Sequence, residues 1–212
     1  MILLSTSAIP LGEGWSLLDY TSASGVGAGS IATTSPIDTT DADLLVAVTQ
    51  SYSTTTPMID SKSNIWLTGV VSPHPFTIVC IFYCHRGIVG IEHSFTWYGD
   101  YGALQILAFK GSAANPADQV NSEYLQDAAT IQPGSIIPSQ SNSLIVSGCC
   151  NNQNVYSIDS GFEITNTIPN VGALTMGGAA AYLLQPDAVA VNPTWTIQPA
   201  GVAAAIMSFT GA

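Results

Sequence analysis

Leu104-Gln105-Ile106-Leu107-Ala108-Phe109-Lys110-Gly111 has a counterpart 100 positions later, Ala204-Ala205-Ile206-Met207-Ser208-Phe209-Thr210-Gly211. The same offset relates Asp43-Leu44-Leu45-Val46-Ala47 to Ser143-Leu144-Ile145-Val146-Ser147. Repeat units of solenoid proteins usually span about 20–50 residues, so a period this long favours a duplicated set of β-strands. The repeat informs the architecture and says little about chemistry.

The run from Asp43 to Gln50 predicts a strand that is buried on both sides. Leu44, Val46 and Val48 share one face, and Leu45 shares the other with Ala47. Similar patterns predict strands at 77–84, 93–97, 103–109, 144–149, 162–165, 179–184, 194–197 and 202–209, with weaker signals at 15–20, 30–33 and 65–68. A helix is the alternative for 202–207, but the repeat and Gly201 favour a strand.

Many short strands with frequent turns predict an all-β protein, an antiparallel β-sandwich or jelly roll with an internal duplication at an offset of about 100. We expect residues 41–212 to form the sandwich from two related halves, 41–111 and 141–211. Residues 1–40 are expected to be an N-terminal arm or extra strands. The segment 112–143 is expected to connect the halves, with one helical turn at 115–120, where Pro116 and Asp118 suit the start of a helix. Whether the halves form one sandwich or two stays open.

Charge excludes several classes of partner. The chain has 14 acidic and 3 basic residues, a net charge of −11. Nucleic-acid binding relies on Lys and Arg that displace counterions, so neither nucleic acid nor an anionic membrane is expected as a partner. No apolar run reaches the roughly 18–20 residues that span a bilayer, and the first residues lack the features of a signal peptide. We therefore expect synthesis in the cytoplasm of the cell that makes the protein.

The four cysteines do not suggest a disulfide framework. Cys80 and Cys84 would lie about 13 Å apart along a strand, whereas a disulfide needs Cα atoms within roughly 7 Å. Cys149 and Cys150 are adjacent and point to opposite faces of their predicted strand. Small buried apolar residues are the preferred interpretation for all four, over metal or redox roles.

Neither carboxylates nor histidines form a recognisable catalytic pattern. Asp38, Asp41 and Asp43 could donate oxygens to Ca²⁺, but the EF-hand spacing is absent and turn formation is the preferred interpretation. The three histidines lack metal-ligand spacing, and no nucleophile elbow of the form G-x-S-x-G occurs. We expect no catalytic residues, no metal site and no cofactor.

Aromatic residues give the main indication of binding. Trp97 and Trp195 lie in repeated strands, where core packing is the expected role. Tyr98 and Tyr101 lie in the predicted hairpin loop 98–102, and together with Trp66 they are candidate ligand-binding residues for a glycan. A subunit interface is the alternative, since Tyr and Trp are enriched there.

The chain resembles β-sandwich proteins of tailed bacteriophages, such as capsid decoration proteins, head fibres and tail tips. The resemblance runs from about Leu44 onward and rests on five short runs: 43–47, 95–97, 108–111, 160–162 (Ser160-Gly161-Phe162) and 191–196. It implies a jelly-roll or lectin-like module in a virion and carries over no active-site residue.

Three functions are compatible with these observations. The leading expectation is a non-enzymatic virion protein, a capsid decoration or cement subunit that forms a homo-oligomer and contacts the major capsid protein or other virion proteins. The alternative is a glycan- or receptor-binding module of a head or tail fibre, with a cell-surface glycan as partner. A hydrolase is the third, and it lacks a supporting motif.

Overall fold

The computed structural model describes residues 14–53, 56–74, 76–172 and 174–212. Every regular element in these ranges is a β-strand. The first half contains β1 (Ser16–Ser24), β2 (Ser30–Thr33), β3 (Leu44–Ser51), β4 (Ile59–Asp60), β5 (Leu67–Val71), β6 (Ile78–His85), β7 (Phe95–Gly99) and β8 (Ala103–Lys110). The second half contains β9 (Ser112–Ile131), β10 (Ser143–Asn151), β11 (Val155–Ile158), β12 (Glu163–Ile168), β13 (Gly177–Gln185) and β14 (Trp195–Gly211).

The strands form two large sheets and one small one. The first large sheet has the order β1-β8-β3-β6-β5, and the second has the order β11-β14-β10-β13-β12, with β9 also paired to β14. The small sheet has the order β2-β7-β4. Each of these strand pairs is antiparallel. The predicted all-β fold with antiparallel sheets packed as a sandwich is confirmed.

The main core lies between the two large sheets, which pack face to face. It contains alternate residues of the central strands together with a phenylalanine from each half, namely Leu44, Val46, Val48, Phe109, Leu144, Val146 and Phe209. Burial of this apolar surface, at about 25 cal/mol per Å², is the largest stabilising contribution that such a layer offers. Each half therefore supplies one large sheet to a shared core.

Outer layers explain why the central strands are apolar on both faces. Leu45 and Ala47 of β3 point away from the main core and pack beneath the small sheet, against Trp97. In the second half, Ile145 of β10 packs against Trp195 in the first part of β14. All residues of β3 and β10 are buried as a result, as the sequence pattern predicted for β3.

The two halves have corresponding strand orders and pack about an approximate twofold relation. Leu44 is opposite Phe109 and Leu144 is opposite Phe209, which preserves the offset of 100 in the ladders. Between the sheets, β3 contacts β10, while β6 contacts β14 and β8 contacts β13. At the sheet edges, β1 contacts β12 and β5 contacts β9. Each contact between two strands is thus matched by a contact between their counterparts, which is the pattern of a self-complementary interface. Descent from one duplicated unit, and a jelly-roll connectivity, are not confirmed and stay predictions.

Two expectations, one about the connecting segment 112–143 and one about the N-terminal segment 1–40, can be compared with the structure. The helical turn predicted at 115–120 is wrong, because these residues belong to β9, which pairs with β14. Ala117, for example, lies opposite Phe209. Long-range pairing along the exposed edge of β14 outweighed the local signals of Pro116 and Asp118. Within the segment 1–40, β1 is an edge strand of the first large sheet and β2 belongs to the small sheet, and residues 1–13 lie outside the described residues.

Candidate functional site

One end of the sandwich carries a groove, here called the end groove, which consists of two adjoining basins. The first basin has a cavity volume of about 430 Å³ and is lined by Tyr52, Tyr101, Asn152, Asn170, Thr175 and Met176. The second, of about 440 Å³, shares Tyr52 and Asn152 and adds His74, Phe76, Thr77, Tyr124, Gln126, Asp127 and Gly201. Each basin falls in the range of about 300–1,000 Å³ that is usual for small-molecule sites.

The end groove lies where the large sheets end. Tyr52 and Asn152 directly follow the central strands β3 and β10. Tyr101 lies in the β7–β8 loop, and Phe76 lies in the β5–β6 loop. Because antiparallel sheets return every second loop to the same end, these side chains meet although they are distant in sequence.

A row of aromatic rings forms one side of the end groove. The ring centroids of Tyr101 and Tyr52 lie 6.1 Å apart, and those of Tyr52 and Phe76 lie 5.6 Å apart. His74 follows Phe76 at 5.9 Å and stacks on Tyr124 at 3.5 Å with an angle of 7° between the ring planes. Tyr52 is 43% exposed and Phe76 is 53% exposed, so these two rings offer apolar surface to a ligand.

The opposite side of the first basin is polar and held in place by hydrogen bonds. Asn170 donates from Nδ2 to the Thr175 carbonyl (2.6 Å), and the Thr175 hydroxyl donates to the Pro169 carbonyl (3.1 Å). The backbone N–H of Met176 donates to the Tyr101 carbonyl (2.9 Å), which connects the two sides of the basin. Such bonds fix the β12–β13 loop, so the polar lining is organised before any ligand arrives.

The end groove is almost free of charge. Among the described residues that line it, Asp127 is the one carboxylate, and none is Lys or Arg. The three basic residues of the chain lie toward the opposite end of the sandwich: Lys62 and Arg86 follow β4 and β6, and Lys110 is the last residue of β8. The lining suits a neutral ligand that offers both apolar and hydroxyl or amide groups.

The structure separates the three residues that the sequence analysis selected. Tyr101 lies in the first basin. Tyr98 is 43% exposed on the outer face of the small sheet, opposite Ile31. Trp66 is half-buried, donates from Nε1 to Asp60 Oδ2 (2.8 Å) and packs edge-on against Phe95, so its ring supports the small sheet.

Sequence reasoning did not select Tyr52, His74 or Phe76. One signal could have found Tyr52, because the offset of 100 pairs Tyr52 with Asn152 and Tyr101 with Gly201, and all four line the end groove. Corresponding loops of a repeated strand set fall at the same end of a sandwich. The repeat therefore contained information about the site as well as about the fold.

A buried polar cluster of Thr39, His93 and Asp60 lies apart from the end groove. The Thr39 hydroxyl is 2.9 Å from His93 Nδ1, and His93 Nε2 is 3.6 Å from Asp60 Oδ1. Burial acts to raise the pKa of Asp60, but the neighbouring His93 and the hydrogen bonds from Asn64 and Trp66 outweigh it and hold that pKa well below its ordinary value. Both the His93 and Asp60 side chains are fully buried, so this cluster orders the loops around the small sheet and offers no surface to a substrate.

The cysteines are buried as expected, and Asp38 makes the local contact expected of a turn, since its carboxylate accepts a hydrogen bond from the N–H of Thr40. All four cysteines are free and buried, and burial raises the pKa of Cys80 to about 12 and that of Cys84 to about 11. The Asp43 carboxylate accepts hydrogen bonds from the N–H groups of Gly111 and Ser112. In the described part of the chain, no group of three or more His, Cys, Asp or Glu side chains could hold a metal ion. The described ranges also contain no helix suited to crossing a bilayer.

Comparisons with known proteins add little. No protein-family model and no curated protein matches the chain. Among solved structures, the conserved protein of unknown function PA5104 from Pseudomonas aeruginosa PAO1 is similar over 95% of this chain and 87% of that chain, with 11% sequence identity and a TM-score of 0.26. At this level the similarity supports no inference about fold or function.

Proposed function

We propose that this protein is a non-enzymatic glycan- or receptor-binding module of the kind displayed on bacteriophage virions, with the end groove as its binding site. The observation that carries the proposal is the row of aromatic rings, Tyr101, Tyr52 and Phe76, facing amide side chains across an almost uncharged groove.

The chemistry of the two sides matches that of a neutral sugar. A pyranose has apolar C–H faces, which pack on aromatic rings, and a rim of hydroxyls. Aromatic side chains bring large apolar area with few rotatable bonds. Asn and Gln amides each offer two donors and an acceptor, so Asn152, Asn170 and Gln126 can satisfy hydroxyls that the groove removes from water.

The same lining favours binding over cleavage. Glycoside hydrolysis usually needs two carboxyl groups, about 5–10 Å apart across the scissile bond. The described residues of the end groove contribute one, Asp127. A ligand held there would be retained unchanged, as a receptor-binding function requires.

Tyr52→Ala tests this proposal, because Tyr52 belongs to both basins. We expect the wild-type protein to bind neutral glycans on an array, and calorimetry of the best ligand to show affinity weakened about tenfold or more in the variant, which corresponds to about 1.4 kcal/mol. Tyr156→Ala is the matched control, since Tyr156 is 58% exposed and does not line the groove. The proposal would be refuted if the wild-type protein bound no glycan on the array, or if Tyr52→Ala and wild type had equal affinity for the best ligand.

Capsid decoration is the second candidate, and one surface favours it. The outer face of the small sheet exposes Ile31 (56%), Ile59 (47%) and Tyr98 (43%), with Ile31 directly opposite Tyr98. Contiguous exposed apolar residues mark interaction surfaces more often than isolated ones do. A cement subunit would bury such a face against the major capsid protein.

Co-sedimentation with capsids of the encoding phage tests this second candidate. We expect wild-type protein to sediment with undecorated capsids, and Ile31→Asp to reduce the bound fraction several-fold, because a charge would be buried in an apolar contact. Tyr52→Ala should sediment like wild type. Absence of the wild-type protein from the capsid pellet contradicts a decoration role.

A further inference from the structure

The end groove lies between the two halves, which are related by an approximate twofold rotation, so corresponding positions of both halves can line it. Positions 52 and 152 both line it, as do positions 101 and 201. If the two halves carried the same residues there, the groove would have two similar walls. Instead, Tyr52 corresponds to Asn152 and Tyr101 corresponds to Gly201.

The neighbouring loops extend this difference. In the first half, the β5–β6 loop brings His74 and Phe76 to the groove, whereas the corresponding β12–β13 loop brings Asn170 and Thr175. The first half therefore supplies an aromatic wall, and the second half supplies an amide wall. Tyr124 of β9 is the exception, and its ring closes the end of the aromatic row by stacking on His74.

We infer that the end groove binds a linear, neutral saccharide of at least two pyranose rings, with its C–H faces on the aromatic wall of the first half and its hydroxyls toward the amide wall of the second half. This inference rests on the proposed function and adds the chemical class of the ligand, its minimum length and its orientation between the two walls.

The length follows from the spacing of the rings. The Tyr101 and Tyr52 ring centroids are 6.1 Å apart with 82° between the ring planes, and those of Tyr52 and Phe76 are 5.6 Å apart with 38° between the planes. Because the three rings face different directions, one sugar ring cannot pack on all of them, and a second ring is needed to use the rest of the row. The two basins also adjoin at Tyr52 and Asn152, so a chain that passes between these residues would occupy both.

The neutrality follows from the lining charges. A carboxylated or sulfated saccharide would meet Asp127 and would find neither Lys nor Arg among the described lining residues. Like charges in a partly desolvated site disfavour binding, and the net charge of −11 disfavours the approach of an anion.

Calorimetry with three neutral series tests the inference: cello-oligosaccharides, malto-oligosaccharides and fully N-acetylated chito-oligosaccharides of one to four units. For the series that binds, we expect the affinity to rise about tenfold or more from one unit to three and then to level off. Oligogalacturonides of the same lengths should bind at least tenfold more weakly. Tyr101→Ala and Tyr124→Ala, which alter opposite ends of the row, should each weaken binding of the trimer several-fold, while Tyr156→Ala should not.

The outcomes separate the inference from the proposed function. A monosaccharide that binds as tightly as the tetramer would overturn the inference and leave glycan binding intact, and so would tighter binding of oligogalacturonides. If none of the four series binds and the glycan array is also silent, the proposed function fails together with the inference. A trimer affinity unchanged by either tyrosine substitution would place the ligand elsewhere and overturn both.

Discussion

Phe109→Ala is expected to lower the free energy of unfolding by about 3–5 kcal/mol, the usual cost of removing a buried phenylalanine. Phe109 is fully buried between the two large sheets. Its ring makes edge-on contacts with Trp15 of the first half (6.3 Å) and with Tyr182 of the second half (5.6 Å). The cavity would therefore weaken both halves at once.

Denaturant unfolding combined with hydrogen exchange measures this effect. We expect one cooperative transition at a lower midpoint, and reduced protection in both β3 and β10, because the sheets share one core. Tyr98→Ala serves as the control, since it removes a partly exposed ring from the outer layer and should cost much less. Two separate transitions, or unchanged protection in β10, would show that the halves are independent units.

Gly148→Val is expected to destabilise the protein by about 1–3 kcal/mol or more, as overpacking of a tight core does. A Cβ at position 148 would lie 2.4 Å from Val48 Cγ1 and 2.9 Å from Val79 Cγ2. Val48 and Gly148 correspond at the offset of 100, so this contact lies where the two halves approach each other most directly. The missing side chain permits the close approach of β10 to β3.

Thermal unfolding of a set of variants tests this explanation. Gly14→Val is the control, because nothing lies within 4 Å of a Cβ at that position, and it should leave the melting temperature nearly unchanged. Adding Val48→Ala to Gly148→Val should recover part of the lost stability, which gives a favourable coupling between neighbouring sites. Equal melting temperatures for Gly148→Val and wild type would mean that the sheets are not closely packed at this position.

Several strands were predictable because their burial pattern is local. The run 43–50 predicted β3, which spans Leu44–Ser51, since a strand apolar on both faces has few alternatives in this composition. The strand at 202–209 is also confirmed, as part of β14. The predicted turn at 115–120 failed because its signals, a proline and an early acid, compete weakly against a long ladder with β14.

Buried polar residues were not predictable from the pattern. Gln50 and Gln105 lie in the interior, where Gln50 Nε2 donates to Gln105 Oε1 (2.6 Å) and Gln105 Nε2 donates to the Asn166 carbonyl (3.1 Å). Asn166 belongs to the other large sheet. The energetic cost of burying these amides is offset only when the partners are in place, and those partners come from a distant part of the chain.

The candidate site was predictable only in part for the same reason. Tyr101 was selected because it lies in a hairpin loop, and that loop does reach the end groove. Trp66 was selected as a candidate sugar-binding aromatic residue, but its hydrogen bond to Asp60 directs it into the layer beneath the small sheet. Nothing local distinguishes an aromatic ring that faces a groove from one that supports a sheet.

The sequence by itself determined the strand class, the burial of β3 on both faces, the position of the hairpin loop at 98–102 and the near absence of positive charge. These properties follow from side-chain periodicity and composition, which act over a few neighbouring residues. Only the tertiary structure decided that Tyr52, Phe76, Tyr101 and Asn152 share one groove. Their meeting depends on sheet order and on the face-to-face packing of the halves, and both are set by contacts between residues far apart in the chain.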